Sequence, residues 1–160
     1  MRDSTVTMLI ICLLTTMSLG QRSRTPVPLS ERMGEFDAVV YGTVTNAHVE
    51  EITKPDGTRS CQALVEVSVA EVLWCRDDRS FREKSNMAIT LPGTGPKEWA
   101  ETRLQGSKGQ RGIWFVDSHG TRSDRYVERA RDVFDPSRPV EAALDPYRKT
   151  SKALAPYRQA

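Results

Sequence analysis

The chain has 160 residues, with 23 Lys and Arg against 21 Asp and Glu, a formal net charge of +2, and 38% hydrophobic residues. That length predicts one globular domain. A near-neutral balance with many charges of both signs argues against a dedicated nucleic-acid protein, which carries a strong basic excess.

The chain opens on an apolar, uncharged run, Val6–Leu19. At about 14 residues it suits the hydrophobic region of a secretory signal peptide and falls short of the ~20 needed to span a bilayer. Arg2 precedes it, and Ser18-Leu19-Gly20 places small residues before a cut at Gln21. Residues 1–20 are therefore read as a cleaved signal peptide, which implies a secreted or periplasmic protein without a stable membrane span. The removed segment carries one Arg and one Asp, so the mature chain keeps its +2. Residues 21–28, polar and Pro-containing, read as a flexible leader.

Leu29–Phe36 suits a short helix, with Ser30 as the expected N-cap and Met33 and Phe36 on one face. From Asp37 the pattern changes to a period of two. Val40, Gly42 and Val44 alternate with Tyr41, Thr43 and Thr45, which marks a strand, and Gly42 inside it marks a bend or a close backbone approach. Pro55-Asp56-Gly57 is a turn signal inside a charged loop over 49–60. A second, long strand shows an apolar face at Ala63, Val65, Val67 and Val69, then slips phase to Val72 and Leu73. A one-residue slip exchanges the faces, so a bulge is expected near Ala70-Glu71. A charged loop over 76–84 precedes a third strand at Met87, Ile89 and Leu91. Pro96 then starts a helix over Lys97–Leu104. Ile113-Trp114-Phe115-Val116 is a continuous apolar run, the signature of a strand buried on both faces. Asp117–Asp124 reads as a turn, and Arg125–Arg129 as an edge-like fifth strand.

Past Arg131 the composition shifts, and Pro136, Pro139, Pro146 and Pro156 argue against long regular elements, leaving at most a helical turn or two at Val140–Leu144. The hexamer at Ala143–Arg148 recurs in altered form at Ala153–Arg158. Residues 132–160 are read as a weakly ordered basic tail; a docking segment for an acidic partner is the other reading. Residues 29–131 form the domain. Its order, strand-strand-strand-helix-strand-strand, predicts a mostly β fold, a five-stranded OB-like barrel, with a short helix ahead and the tail behind.

Chemistry is sparse. Cys61 and Cys75 invite a disulfide after export, but the 13 residues between them read as one strand. At ~3.3 Å per residue that separates them by roughly 45 Å, far above the ~7 Å ceiling for a bridge. His48 and His119 form no H-x-x-H pair and the cysteines no C-x-x-C, so no metal or cofactor site is expected. Asp117-Ser118-His119 holds the residue types of a hydrolase, but contiguous residues splay apart and no G-x-S-x-G elbow is present. Gly106-Ser107-Lys108-Gly109 lacks the order of a phosphate loop, and Gly93-Thr94-Gly95 is followed by Pro96, which removes an amide that a phosphate would use. No catalytic residue is assigned. The loops over 49–60 and 117–124 offer the ligand-facing candidates Lys54, Arg59, His119 and Arg122.

Three stretches, Glu35–Val44, Val67–Leu73 and Gly109–Val116, resemble a group of small exported bacterial proteins with an OB-fold like that of netrin-like domains and tissue inhibitors of metalloproteinases. The resemblance covers about 37–130 and concerns the fold. The inhibitors bind their target's zinc through an N-terminal Cys-x-Cys, and here no Cys lies between Gln21 and Cys61. The expectation is an exported non-enzymatic binding domain for a protein or envelope component. The alternatives are an inhibitor of an extracellular protease and, behind it, a small hydrolase.

Overall fold

A computed structural model describes residues 27–76, 86–119, 122–134 and 139–157. The segment read as a signal peptide with its cut site, the leader up to residue 26, all but the first residue of the charged loop over 76–84, and the last three residues lie outside them.

The described chain is mostly β. Its elements are α1 (Leu29–Gly34), β1 (Ala38–Thr53), β2 (Arg59–Cys75), β3 (Asn86–Thr90), α2 (Lys97–Leu104), β4 (Arg111–His119), β5 (Arg122–Val133) and α3 (Val140–Leu154), followed by a 3₁₀ turn at Ala155–Tyr157. One five-stranded sheet runs in the order β1-β2-β3-β5-β4, and β4 pairs back onto β1, so the ladder closes into a ring. All pairings are antiparallel except β3 with β5.

The phase slip in β2 is the origin of the curl. Val69 sits opposite Gly42 and Glu71 opposite Tyr41, which leaves Ala70 extra; a second shift follows, with Val72 opposite Val40 and Trp74 opposite Val39. Two bulges in quick succession bend the strand and raise its twist. They also turn Leu73 and Trp74 to the outer face, while Ala63, Val65, Val67 and Val69 stay inside. Gly42 lies where this bend presses β1 on β2: a Cβ there would stand 2.5 Å from the Ser68 carbonyl oxygen and 2.6 Å from Val67 Cγ1.

The apolar run of β4 is buried on both faces. Trp114 and Val116 enter the core inside the ring, and Ile113 and Phe115 enter a second core outside it. The outer core is roofed by α1, through Met33, and α3, through Leu144. The α1 helix begins after Pro28 without a side-chain cap, so Ser30 lies inside the helix rather than at its cap.

Two expectations are corrected. The fifth strand is not an edge: β5 runs from Arg122 to Val133 and pairs with β4 on one side and β3 on the other. Its charges gave the edge-like appearance, but three of them meet partners on other elements. Arg125 pairs with Glu50, Arg129 with Asp117 at 3.4 Å, and Asp132 takes Arg32 at 2.8 Å. Within the segment read as a weakly ordered tail, Val140–Leu154 is instead a 15-residue helix, α3, with Pro146 inside it. A proline in a helix interior costs roughly 3 kcal/mol. The burial that offsets it comes from Leu144, fully inside the outer core, with Val140, Tyr147 and Leu154 packed on the same face. Polar bonds fix the register. Arg148 grips Glu71 of β2 through two bonds, 2.8 Å from Nε and 2.6 Å from Nη2, and Tyr147 donates to Asp132. Arg148 of the tail thus has an acidic partner, Glu71, on the chain's own sheet. The two copies of the repeated hexamer are not equivalent: Tyr147 packs on the outer core, whereas Tyr157 is 77% exposed.

Candidate functional site

The β1–β2 hairpin outruns the rest of the ring. β4 follows β1 only from Ala38 to Thr43, and β3 follows β2 only over Leu64–Ser68. The hairpin's tip is closed by Pro55-Asp56-Gly57, with Gly57 at φ +81°. Lys54 and Thr58 bond across the turn at 2.9 Å, and Asp56 accepts the Thr58 amide at 2.9 Å and its hydroxyl at 2.6 Å. These bonds from Thr58 hold the Asp56 carboxyl below its ordinary value. The turn sets Lys54 and Arg59 on its two shoulders.

The loop before α2 reaches the same place. Gly95 makes a two-bond bridge with Cys61, 2.8 Å from the Cys61 amide and 2.9 Å back, and the Ser60 hydroxyl donates to the Gly95 carbonyl at 3.3 Å. Trp99 lies on the loop: a Cβ on Gly95 would come within 3.0 Å of its ring, and the Arg103 guanidinium lies over the ring 5.2 Å from the centroid. Glycine is what lets the indole approach the backbone so closely. Pro96 then opens α2 and presents Lys97.

Between hairpin and loop lies an open cavity of about 660 Å³, lined by Glu51, Lys54, Arg59, Ser60, Cys61, Gly95, Pro96 and Lys97. Its walls carry the cations Lys54, Arg59 and Lys97 against the single carboxylate of Glu51. Arg59 meets Glu51 at 3.3 Å and Lys97 meets Glu101 at 3.7 Å, all four side chains more than half exposed. Exposed pairs of this kind contribute about 0–1 kcal/mol, so they exchange readily for another anion. Lys54 lies beside the exposed Asp56, whose carboxyl its charge also helps to hold below its ordinary value. The first turn of α2 adds its positive dipole end.

Lys54 and Arg59 are therefore brought together by the hairpin turn, and Lys97 joins them from α2. His119 and Arg122 are elsewhere. Their backbones pair in register where β4 ends and β5 begins. Val116 lies opposite Ala38 at the start of β1, whereas the hairpin tip is at the end of β1.

At that other end, Asp117-Ser118-His119 closes β4. The Ser118 hydroxyl and amide both donate to Asp37 Oδ2, at 2.7 and 2.9 Å, the Asp37 amide donates to Asp117 Oδ1 at 3.3 Å, and Arg76 stands 3.3 Å from Asp37. Burial opposes ionisation of Asp37, but the bonds from Ser118 and the charge of Arg76 together hold its carboxyl below its ordinary value. The arrangement latches the start of β1 to the end of β4.

His48 is within β1, opposite Leu64. Cys61 and Cys75 are thiols near the two ends of β2, Cys61 partly exposed and Cys75 buried. Among the described residues no group of three or more His, Cys, Asp or Glu is placed to hold a metal ion. Among them, too, no helix is long and apolar enough to cross a membrane.

No protein-family model, no curated protein and no solved structure matches the chain.

Proposed function

We propose that this chain is an exported, non-enzymatic binding domain of the OB type, and that the cavity between the β1–β2 tip and the start of α2 is its ligand surface. The observation that carries the reading is the convergence of Lys54 and Arg59 from the hairpin with Lys97 from α2 around one open cavity. A closed five-stranded ring with, among the described residues, one inter-strand helix, placed between β3 and β4, supports the OB assignment. The apolar run before Gln21 supports export, to the periplasm or the medium, and the partner is then a protein or envelope component met there.

The test uses mature protein as bait for envelope and medium fractions, beside a Lys54→Glu/Arg59→Glu variant. Both sites are on the exposed tip, so the variant keeps its fold, which circular dichroism checks. A partner retained by the wild type and lost by the variant is the expected result. Equal capture by both would overturn the assignment of the surface. Sequencing the mature N-terminus tests the export half, with Gln21 or a close neighbour expected and an intact Met1 on exported protein refuting it. Potent inhibition of an extracellular metalloprotease, undiminished in the tip variant, would favour the inhibitor reading instead.

A further inference from the structure

We propose that the group recognised in this cavity is a carboxylate pair on an acidic peptide segment of the partner protein, rather than a phosphate. The inference rests on the reading of the cavity as the ligand surface and adds the chemistry of what enters it.

Charge decides the sign of the ligand. Of the charged side chains that line the cavity, Lys54, Arg59 and Lys97 are cations and Glu51 is the one anion, with Glu101 paired to Lys97 and Asp56 beside Lys54 at its margin, in a chain whose net charge is only +2. Lys54 acts on the exposed Asp56 carboxyl through charge alone, and the Arg59–Glu51 contact at 3.3 Å is between exposed side chains. An incoming anion can therefore bond Lys54, whose partner Asp56 is exposed and held by Thr58, and replace Glu51 on the planar guanidinium of Arg59, which matches a carboxylate with two parallel bonds.

Backbone chemistry decides against phosphate. A phosphate cradle needs several convergent amides at a loop leading into a helix. Here the Gly95 amide is already bonded to the Cys61 carbonyl at 2.9 Å, and the next residue, Pro96, has no N–H. The cations also come from two separate elements, the hairpin tip and α2, around about 660 Å³ of space. That is room for several residues' side chains, much more than one tetrahedral anion occupies. Separated charges on flexible stems suit two carboxylates spaced along a peptide.

Cys61 supplies a reporter already in place, because it lines the cavity and is partly exposed, while Cys75 is 2% exposed and serves as the internal reference. The experiment follows iodoacetamide alkylation of both thiols by mass spectrometry in the intact mature protein. The probes are a hexaglutamate peptide, a hexaglutamine peptide and inorganic phosphate, at one ionic strength fixed with sodium chloride.

Expected is slowed labelling of Cys61 by hexaglutamate, unchanged labelling by hexaglutamine, and no matching protection by phosphate. Lys54→Gln and Lys97→Gln should each raise the half-protecting concentration about two- to five-fold, the range of one exposed ion pair. Rising salt should weaken protection further as charges are screened. Protection by phosphate equal to that by hexaglutamate would overturn the peptide assignment. Absence of protection by hexaglutamate would overturn the acidic ligand. If the tip variant still lost a captured partner in that case, the surface would stand and only its chemistry would be wrong.

Discussion

The Leu144→Ala substitution separates a docked C-terminal helix from a loose tail. Leu144 is 1% exposed and packs in the outer core with Met33, Val39, Leu73, Trp74, Ile113 and Phe115. Truncating a buried Leu to Ala costs about 2–5 kcal/mol, set by how far the site collapses around the lost atoms. α3 can shift towards the sheet more easily than a strand inside the ring can, and local undocking caps the loss at the helix's own docking free energy. The expectation is therefore about 2–3 kcal/mol, which for a domain of this size lowers Tm by roughly 7–11 °C. Urea denaturation gives the loss as a fall in midpoint, and a retained slope shows that α3 still unfolds with the sheet. Tyr157→Ala, at a side chain 77% exposed, is the control and should change stability by no more than about 0.5 kcal/mol. A Leu144→Ala protein within about 0.5 kcal/mol of wild type would mean that residues 140–157 do not cover the sheet, and the account of Pro146 as a tolerated helix residue would fall with it.

Gly42→Ala places a methyl against the Ser68 carbonyl and Val67; the neighbour is backbone and cannot swing aside, so a loss of about 1–3 kcal/mol is expected, read as a lower urea midpoint, and a neutral result would contradict the close approach. Asp37→Asn addresses acid stability: a carboxyl held below its ordinary value contributes stability above that value and loses it as pH falls through the lower, folded one. The variant should be less stable than wild type near pH 7, with the gap closing below about pH 4; a constant gap would refute the linkage. Glu128 has the opposite sign. Burial raises its carboxyl above the ordinary value, with the Arg131 and Arg103 charges offsetting only part, and Oε2 has no hydrogen-bond partner. Stability should then decline as pH rises from the ordinary to the raised value. Glu128→Gln should remove that decline and match or exceed wild type at pH 7; a less stable variant there would show the Arg131 contact, 3.9 Å long, to be worth more than the buried charge costs.

Local pattern predicted the sheet wherever burial was written into consecutive residues. The β4 run, the Gly42 approach, the Lys97–Leu104 helix after Pro96 and the bulge at Ala70 all follow from periodicity or from one residue's steric needs. The C-terminal helix did not, because local and tertiary terms oppose each other there. Pro146 argues against a helix on propensity, and only the sheet's outer face, assembled from α1, β1, β2 and β4, provides the burial that outweighs it. Charged β5 was misread as an edge for the same reason: Arg125 and Asp132 find their partners in Glu50, Arg32 and Tyr147, far away in the chain.

The candidate site divides along the same line. Lys54 and Arg59 flank Pro55-Asp56-Gly57, whose turn is set by Asp56 bonds to a residue two positions on, so their pairing follows from the sequence. Lys97 was visible as a helix residue but not as a neighbour of the hairpin. Its place depends on the bridge from Gly95 to Cys61, formed where β3 has stopped covering β2. A two-bond bridge between single residues leaves no periodic trace, and the glycine it uses serves equally to admit Trp99. His119 and Arg122 looked equivalent to the hairpin residues because both loops are charged. The register separates them: a strand ladder that aligns Val116 with Ala38 must put the β4–β5 turn beside the start of β1 and the cationic tip beside its end. Loop composition alone thus ranks candidate residues without grouping them, and it is the strand register, together with one non-local bridge, that decides which cations share a cavity.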